Sequence, residues 1–232
     1  MIELFFIHGS GCDAGVFSPQ LAAFPSAYAT TLPGRGPTNS TRTETVAQFA
    51  DAVAEELRTR RQRSVVLCGS SMGGAIALEL ALRKHPCIRA LALIGSGAKL
   101  RVAPALLASL QSDFPGAARS LATRFFAGPT PERVEPAVDA LLRVGQAQTL
   151  RDFRACDAFD VTERIGALSV PLLAIVGEQD VLTPPKFSQW LADRVGGAAA
   201  RILPGAGHLA MIERPAETNA ALRAFVDGID ID

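Results

Sequence analysis

The stretch LCGSSMGGA, Leu67 to Ala75, places two adjacent serines among glycines directly after an apolar run. The residues VVLC predict a buried strand that ends here, and AIALELALRKH predicts a helix that follows. Only one frame reads Gly-x-Ser-x-Gly, namely Gly69, Ser71 and Gly73. A sharp strand-to-helix turn needs small residues two positions either side of the serine, because the backbone folds close to itself there. We therefore predict that Ser71 is a nucleophile and that Ser70 only hydrogen-bonds locally.

A serine hydroxyl is a weak nucleophile at neutral pH and needs a general base. The chain has three histidines. His85 precedes Pro86 at the end of a helical pattern, which favours a role at the helix C-terminus. His8 in FIHGSG follows the first strand and is expected to shape its own loop. His208 in LPGAGHLAMIERP follows the last strand among small loop residues that leave its ring free, so we predict that His208 is the base.

A histidine base needs a carboxylate that favours one tautomer and stabilises the imidazolium. The segment VPLLAIVGEQDVLTPP offers Asp180 and, two residues earlier, Glu178. We prefer Asp180, because Gly177 and the following Val-Leu-Thr-Pro-Pro predict a tight turn with Asp180 near its apex. Asp157 and Asp160 belong to a helical section and are less easily directed at a histidine that follows a strand.

Attack of a serine on a carbonyl creates an oxyanion that two backbone N–H groups can stabilise. Loss of one such donor costs about 3 kcal/mol in characterised hydrolases. The Met72 N–H, at the positive start of a predicted helix, is one natural donor. Ser10 N–H in HGSGCD is the predicted second donor, since Gly9 and Gly11 allow the backbone to turn inward. Taken alone, HGSGCD is equally typical of an ordinary glycine-rich turn.

Short apolar runs alternate with helical patterns along the chain, which indicates a single parallel sheet with helices on both faces. The predicted strands are Leu4–Ile7, Tyr28–Leu32, Val65–Cys68, Ala90–Ile94, Leu172–Val176 and Ala200–Leu203. The predicted helices are Val16–Phe24, Glu44–Arg60 (capped by Thr43), Met72–Lys84, Lys186–Val195 and Pro215–Val226. The predicted nucleophile, carboxylate, base and His8-Gly9 loop each follow a different strand. In an open parallel sheet those carboxyl ends lie along one edge, where ligands bind.

One section, residues 101–166, lacks a convincing strand but contains several helical patches separated by Pro and Gly. The patches are Ala103–Gln111, Ala117–Phe126, Glu132–Val144 and Thr149–Ala158. We predict that residues 1–100 and 167–232 form the α/β core and that residues 101–166 form a helical insertion over one end of the sheet.

The composition fits one large α/β domain of 232 residues, with 48% hydrophobic and 20% charged residues. The 23 Lys and Arg residues balance 23 Asp and Glu residues, so no bulk electric field attracts nucleic acid or an anionic membrane. We therefore expect a small-molecule substrate with an apolar acyl group, no nucleic-acid partner and no membrane insertion. The apolar start MIELFFIHG contains Glu3 and is too short for a signal peptide or a membrane span.

The cysteines are far apart, contain no CxxC pair and have no cluster of histidines nearby, so no zinc site is expected. They are Cys12, Cys68, Cys87 and Cys156. Cys68 lies in an apolar strand pattern that is typical of a buried reduced thiol. These features favour a cytoplasmic setting.

The assembled motifs resemble the α/β-hydrolase superfamily, in a compact, serine esterase-like form with a helical cap. They are FFIHGSG, LPGRG (Leu32–Gly36), LCGSSMGG, LALIGSGAKL, VPLLAIVGEQDVLTPP, PGAGHLAMIERP and PAETNAALRAFV. The resemblance implies a nucleophile Ser71, a base His208 with its partner Asp180, oxyanion donors Ser10 and Met72, and no metal or organic cofactor. Many relatives carry a β-hairpin before the His-Gly strand. Its absence here implies six parallel strands, with Tyr28–Leu32 at an edge.

The first functional hypothesis is a carboxylic ester hydrolase that acts through an acyl-enzyme. The same residues are also compatible with cleavage of a carbon–carbon bond, a thioester or a lactone, or with an elimination. A further alternative is a receptor that binds a small molecule without turnover. Two groups of residues in the insertion bear on the choice. Phenylalanines that either line an acyl pocket or form the core of the insertion are Phe114, Phe125, Phe126 and Phe153. Arginines that either receive a substrate carboxylate or are solvated are Arg101, Arg124, Arg151 and Arg154.

Overall fold

Six parallel strands form one sheet in the order β2-β1-β3-β4-β5-β6, in a computed structural model that describes residues 2–35 and 43–229. The strands are β1 Glu3–Ile7, β2 Tyr28–Thr30, β3 Val65–Ser70, β4 Ile88–Ile94, β5 Leu172–Gly177 and β6 Ala199–Leu203. The predicted six-stranded parallel sheet is confirmed, and so is the edge position of the second strand. Gly36, the last residue of the LPGRG motif, lies outside the described residues.

Ten α-helices connect or follow these strands in the described part of the chain. They are α1 Ser18–Ala23, α2 Val46–Thr59, α3 Met72–Leu82, α4 Pro104–Ser112, α5 Phe114–Thr123, α6 Pro131–Val144, α7 Gln146–Asp157, α8 Pro185–Arg194, α9 Ala210–Glu213 and α10 Pro215–Asp227. None of the helices in the described ranges is long and apolar enough to cross a membrane.

Several helix starts differ from the prediction, and two of the differences have a clear physical cause. The expected helix Val16–Phe24 is a 3₁₀ turn, Ala14–Phe17, followed by α1, because Pro19 cannot donate an N–H and suits the first turn of a new helix. The predicted cap Thr43 is wrong, since Thr45 caps α2. Thr45 Oγ1 accepts the Gln48 N–H at 3.2 Å and Gln48 Oε1 accepts the Thr45 N–H at 3.2 Å. This reciprocal capping box satisfies two N–H groups at the helix start.

The central strands are apolar without alternation because both faces of the sheet are covered. Phe5 and Leu67 are register partners on one face and belong to a core that includes Ile76 of α3. Phe6 and Cys68 are the next pair along, and they belong to the core on the opposite face, which includes Leu222 of α10. All six side chains are at most 1% exposed. The two cores hold β1 and β3 rigidly between helical layers.

The carboxyl ends of the strands carry the predicted chemistry. The loop that starts at His8 follows β1, Ser71 follows β3, Asp180 lies three residues after β5, and His208 lies in the loop after β6. Helices α4 to α7 occupy the long connection between β4 and β5, where we predict the insertion of residues 101–166. An isolated antiparallel bridge between Lys99 and Asp160 joins the beginning of that connection to its later part.

Candidate active site

Ser71 occupies a strained turn between β3 and α3, with φ 52° and ψ −116°. Two other described non-glycine residues have positive φ, Arg61 and Lys84, and each lies just beyond the end of a helix. Ser71 alone of the three occupies a strand-to-helix turn. A non-glycine residue persists in such a conformation only where its surroundings enforce it, and such residues cluster at functional sites.

The glycines either side of Ser71 have no room for a side chain. A Cβ at Gly73 would lie 2.0 Å from the Ile7 carbonyl oxygen, and a Cβ at Gly69 would lie 2.3 Å from the Gly73 carbonyl oxygen. The turn is fixed from the neighbouring strand, because Ser71 N–H donates to the Ile94 carbonyl at 2.9 Å. Ser96 Oγ donates to the Ser71 carbonyl at 2.8 Å. The Gly-x-Ser-x-Gly spacing is therefore a steric requirement of this turn.

His208 and Asp180 form a buried pair in which His208 Nδ1 lies 2.9 Å from Asp180 Oδ2. Asp180 also accepts the N–H groups of Leu182 and Thr183 at 2.8 and 2.9 Å and the Thr183 hydroxyl at 2.7 Å. Burial alone raises the pKa of Asp180, but the charge of His208 and these hydrogen bonds outweigh it, so the pKa lies below its ordinary value. An ionised Asp180 only accepts, so His208 Nδ1 carries the proton and Nε2 is left as the basic atom.

The alternative carboxylates lie elsewhere. Glu178 is exposed, whereas Asp180 is 3% exposed. Asp157 accepts the Val102 N–H at 3.1 Å, and Asp160 forms an ion pair with Lys99. Among the acidic side chains weighed from the sequence, Asp180 is the one that contacts His208.

Two residues that support His208 were missed at the level of sequence. Thr183 Oγ1 lies 3.1 Å from His208 Nδ1 and also holds Asp180, which fixes both partners. Glu213, whose side chain is 1% exposed, accepts the Gly207 N–H at 2.6 Å, next to His208 in the chain. The Asp-x-x-Thr spacing was a usable signal for Thr183, because aspartate commonly bonds the backbone two or three residues onward. Nothing in the local sequence marked Glu213 as buried.

Ser71, His208 and Ser10 line one cavity of about 250 Å³ above the sheet edge. Neither Ser71 Oγ nor His208 Nε2 forms a hydrogen bond with another described residue. The Phe125 ring stacks against the imidazole with its centroid 6.0 Å away. The hydroxyl and the basic nitrogen thus share a cavity in which a substrate can bind and a proton can be transferred.

Of the two predicted oxyanion donors, Ser10 lines the same cavity, and Met72 directly follows Ser71 at the start of α3. The N–H groups of Ser10 and Met72 have no hydrogen-bond acceptor within the described residues. A Cβ at Gly9 would lie 3.1 Å from the Ser71 Cβ, so the loop approaches the serine closely. Ser10 Oγ also contacts Met72 Sδ at 3.6 Å and Cys156 Sγ at 3.3 Å. The arrangement leaves two N–H groups available for a substrate oxygen.

His8 supports this loop from beneath. It is completely buried, its Nε2 accepts the Leu32 N–H at 3.1 Å, and its Nδ1 donates to the Gly9 carbonyl at 3.0 Å. Burial, aided by the positive charge of Arg35, lowers the pKa of His8 to about 3. His8 is therefore a neutral ring that joins two loops, and both of its nitrogens are engaged away from Ser71.

A buried ion pair ties the same loop to α7. Arg35 pairs with Asp152, which is 0% exposed and accepts the Gly11 N–H at 3.0 Å and Gln148 Nε2 at 2.8 Å. Arg35 also donates to the Cys12 carbonyl at 3.3 Å. Burial raises the pKa of Asp152, and Arg35 and the hydrogen bonds act in the opposite direction. The peptide groups that follow Ser10 are held by a charge pair that the sequence analysis did not identify.

The aromatic and basic residues of the insertion divide into two groups. All four phenylalanines pack in or against hydrophobic clusters, and Phe125 and Phe153 also line the cavity. Arg101 and Arg124 also line the cavity, whereas Arg151 donates to Gln148 Oε1 at 2.8 Å. Across residues 2–35 and 43–229, no cluster of three or more His, Cys, Asp or Glu side chains could hold a metal ion.

Comparison with known proteins defines the class of this molecule. A model of the alpha/beta hydrolase family matches residues 4–221, and the chain therefore belongs to that family. Pimeloyl-(acyl-carrier protein) methyl ester esterase of Neisseria meningitidis serogroup B is 26% identical over 244 residues, which cover 97% of this chain and 93% of that protein. A solved thermophilic esterase is 35% identical with a TM-score of 0.89, over 98% of this chain and 91% of the other. The enol-lactonase of Burkholderia xenovorans LB400 shares the fold at 23% identity and a TM-score of 0.89, over 97% of this chain and 91% of that chain.

Proposed function

We propose that this carboxylic ester hydrolase cleaves small esters through an acyl-enzyme on Ser71, with His208 as general base and Asp180 as its partner. The observation that carries the proposal is the buried His208–Asp180 pair, whose free nitrogen shares a cavity with a serine in a strained turn. The esterases among the relatives support the same class of reaction.

In the proposed mechanism, Ser71 Oγ attacks the ester carbonyl and His208 Nε2 takes its proton. Asp180 accepts the Nδ1 hydrogen bond throughout and stabilises the imidazolium that forms. The Ser10 and Met72 N–H groups bind the oxyanion. His208 then returns the proton to the leaving alcohol. A water molecule repeats the sequence on the acyl-enzyme, releasing the acid and restoring the serine.

The substrate cavity has walls from both the core and the connection between β4 and β5. Leu106, Phe125 and Phe153 supply apolar walls from that connection, and Val16 and Leu182 supply them from the core. We propose that residues 101–166 act as the cap that selects the acyl group, over a core of residues 1–100 and 167–232. An apolar wall of this kind suits a short acyl chain, since it removes the chain from water.

The test is turnover of p-nitrophenyl acetate and butyrate by the wild-type chain and by Ser71→Ala. We expect the variant to lose at least about a thousandfold in kcat/KM, as hydrolases do when the nucleophile is removed. Ser70→Ala is the matched control, because Ser70 is adjacent, buried and lines the same cavity. It should retain most of the activity.

A fluorophosphonate label, mapped by mass spectrometry, identifies the nucleophile independently. Labelling of a residue other than Ser71, or undiminished turnover in Ser71→Ala, would refute the mechanism. Slow hydrolysis of esters together with rapid cleavage of a thioester, a lactone or a carbon–carbon bond would support the same active site but a different reaction. Tight binding of a small molecule without turnover would instead indicate a receptor.

We also propose a cytoplasmic location. All four cysteines are buried free thiols. Burial raises the pKa of Cys12 and Cys156 to about 12, so both are held as neutral thiols. Free thiols in this number are common in reducing compartments.

A further inference from the structure

A second cavity, of about 340 Å³, lies beside the candidate active site. The two cavities are neighbours, because both are lined by Arg101 and Phe187. Its remaining wall includes Ala98 and Lys99 after β4, and Trp190 on α8. The proposed ester hydrolysis uses none of these side chains.

The floor of the second cavity is aromatic and apolar. Phe187 and Trp190 are both half-buried, and Phe187 lies close over Gly97, where an added Cβ would be 3.1 Å from its ring. The guanidinium carbon of the exposed Arg194 lies 4.3 Å from the Trp190 ring centroid and packs against the indole. Aromatic side chains held in this way favour stacking with a ring of the ligand.

The rim of the second cavity is positively charged. Lys99 forms an ion pair with Asp160, whose carboxylate also accepts the Thr162 hydroxyl at 2.7 Å. Arg101 and Lys186 have no ion-pair or hydrogen-bond partner within the described residues. Since the whole chain has a net charge of +0, this local excess is a feature of the site and not of the bulk composition.

The position of the second cavity relates it to the leaving alcohol. Phe187 and Lys186 belong to α8, which begins five residues after Asp180, and Thr183 lines the first cavity between them. The leaving oxygen must come within reach of His208 Nε2, which is the atom that returns the proton. Phe187 of α8 lines the first cavity together with His208, so α8 supplies one wall of the space into which the alcohol leaves.

We propose that the second cavity binds the alcohol portion of the substrate, and that this alcohol carries an aromatic ring and an anionic group. The ring lies against Phe187 and Trp190, and the anion is bound between Arg101 and Lys186. This inference rests on the proposed ester hydrolysis and narrows its substrate class to anionic aryl esters.

The test compares two acetate esters that differ only in charge. One is the acetate of para-hydroxyphenylpropanoate and the other is the acetate of the corresponding neutral propanamide. The two methylenes insulate the leaving oxygen from the change, so the ratio of the two kcat/KM values reports binding of the anion. We expect the wild-type enzyme to favour the anionic ester at least about threefold, a preference that decreases with added salt.

Lys186→Gln should lower that ratio about twofold or more, and Arg101→Gln with Lys186→Gln should bring it close to one. The ratio cancels any general loss of activity in the variants. Arg89→Gln is the matched control and should leave the ratio unchanged. Arg89 is an exposed cation at the amino end of β4, whereas both cavities lie at the carboxyl ends of the strands.

Two results would overturn the proposal while leaving the ester hydrolysis intact. The first is a ratio near one in the wild-type enzyme, with Ser71-dependent turnover of both esters. The second is a charge preference that appears only when the carboxylate is on the acyl side, measured with monophenyl glutarate against its neutral monoamide. Equal turnover of all these esters by Ser71→Ala would instead refute the proposed function itself.

Discussion

We predict that protonation of His8 makes this fold less stable at acid pH. In the folded chain its pKa is lowered from 6.5 to about 3, whereas the unfolded chain has the ordinary value. At pH values between these two pKa values, His8 is protonated in the unfolded state but neutral in the folded state. The free energy of unfolding therefore decreases as the pH falls, with a slope of about 1.4 kcal/mol for each pH unit from this residue. The ring is completely buried, so solvent screening does not reduce the effect.

Integrated from about pH 7 to about pH 4, this linkage removes about 3 kcal/mol of stability. A typical domain has about 5 to 15 kcal/mol in total, so the loss from His8 is a large fraction of the stability of such a domain. The perturbation is His8→Gln, which cannot be protonated and whose Oε1 can accept the Leu32 N–H as Nε2 does. We expect the variant to be less stable at neutral pH, because the bond to Gly9 is weakened, but to lose less stability on acidification.

The assay is urea unfolding at half-unit steps from about pH 7 to about pH 4, followed by circular dichroism. His85→Gln is the control, because His85 is only half-buried and contacts Cys87 Sγ at 3.3 Å. The difference in slope between wild type and His8→Gln should be close to 1.4 kcal/mol per pH unit near pH 5. Parallel curves for these two proteins would show that His8 is protonated in the folded state, and the reasoning would be refuted.

Further outcomes follow from steric and electrostatic contacts near the site. Gly73→Ala should disrupt the turn at Ser71 or abolish esterase activity, because the new methyl group would lie 2.0 Å from the Ile7 carbonyl oxygen. Gly166→Ala, where an added Cβ has nothing within 4 Å, is the control and should be tolerated in thermal unfolding. Asp152→Asn should destabilise the fold by about 3 kcal/mol in urea titration, because a buried Arg35 loses its countercharge. Thr183→Val should lower kcat more than KM in ester hydrolysis, since the hydroxyl that holds Asp180 against His208 is removed.

The parallel sheet and the placement of Ser71, Asp180 and His208 at its carboxyl edge could be predicted because they depend on short-range signals. Apolar runs mark strands, and the residue that follows each run lies at the same edge of a parallel sheet. The Gly-x-Ser-x-Gly spacing expresses a steric limit that is visible in the sequence itself. The topology thus follows from local patterns combined with one general rule about parallel sheets.

The supporting contacts between distant segments could not be predicted, because no local pattern links residues that are far apart in the chain. Asp152 reaches Gly11 across 141 positions, and Glu213 reaches Ala127 across 86. Asp152 lies in a predicted helix and Glu213 in a predicted loop, and in both settings exposure is the usual state of a carboxylate. Their burial depends on how the helices between β4 and β5 pack over the sheet, and no local pattern encodes that packing.

The same contacts connect the region we propose as the cap to the catalytic loops. Asp152 of α7 holds the loop that carries Ser10, and the Phe125 carbonyl accepts the Leu209 N–H at 3.0 Å, directly after His208. Glu213 joins the two regions again through the Ala127 N–H at 3.1 Å. Substitutions that alter how α5 to α7 pack should therefore displace the proposed oxyanion donor and the proposed base as well as the proposed substrate wall. We expect these substitutions to change kcat as well as KM. A cap that only encloses the substrate would change mainly KM, whereas a cap that also positions the catalytic groups changes both.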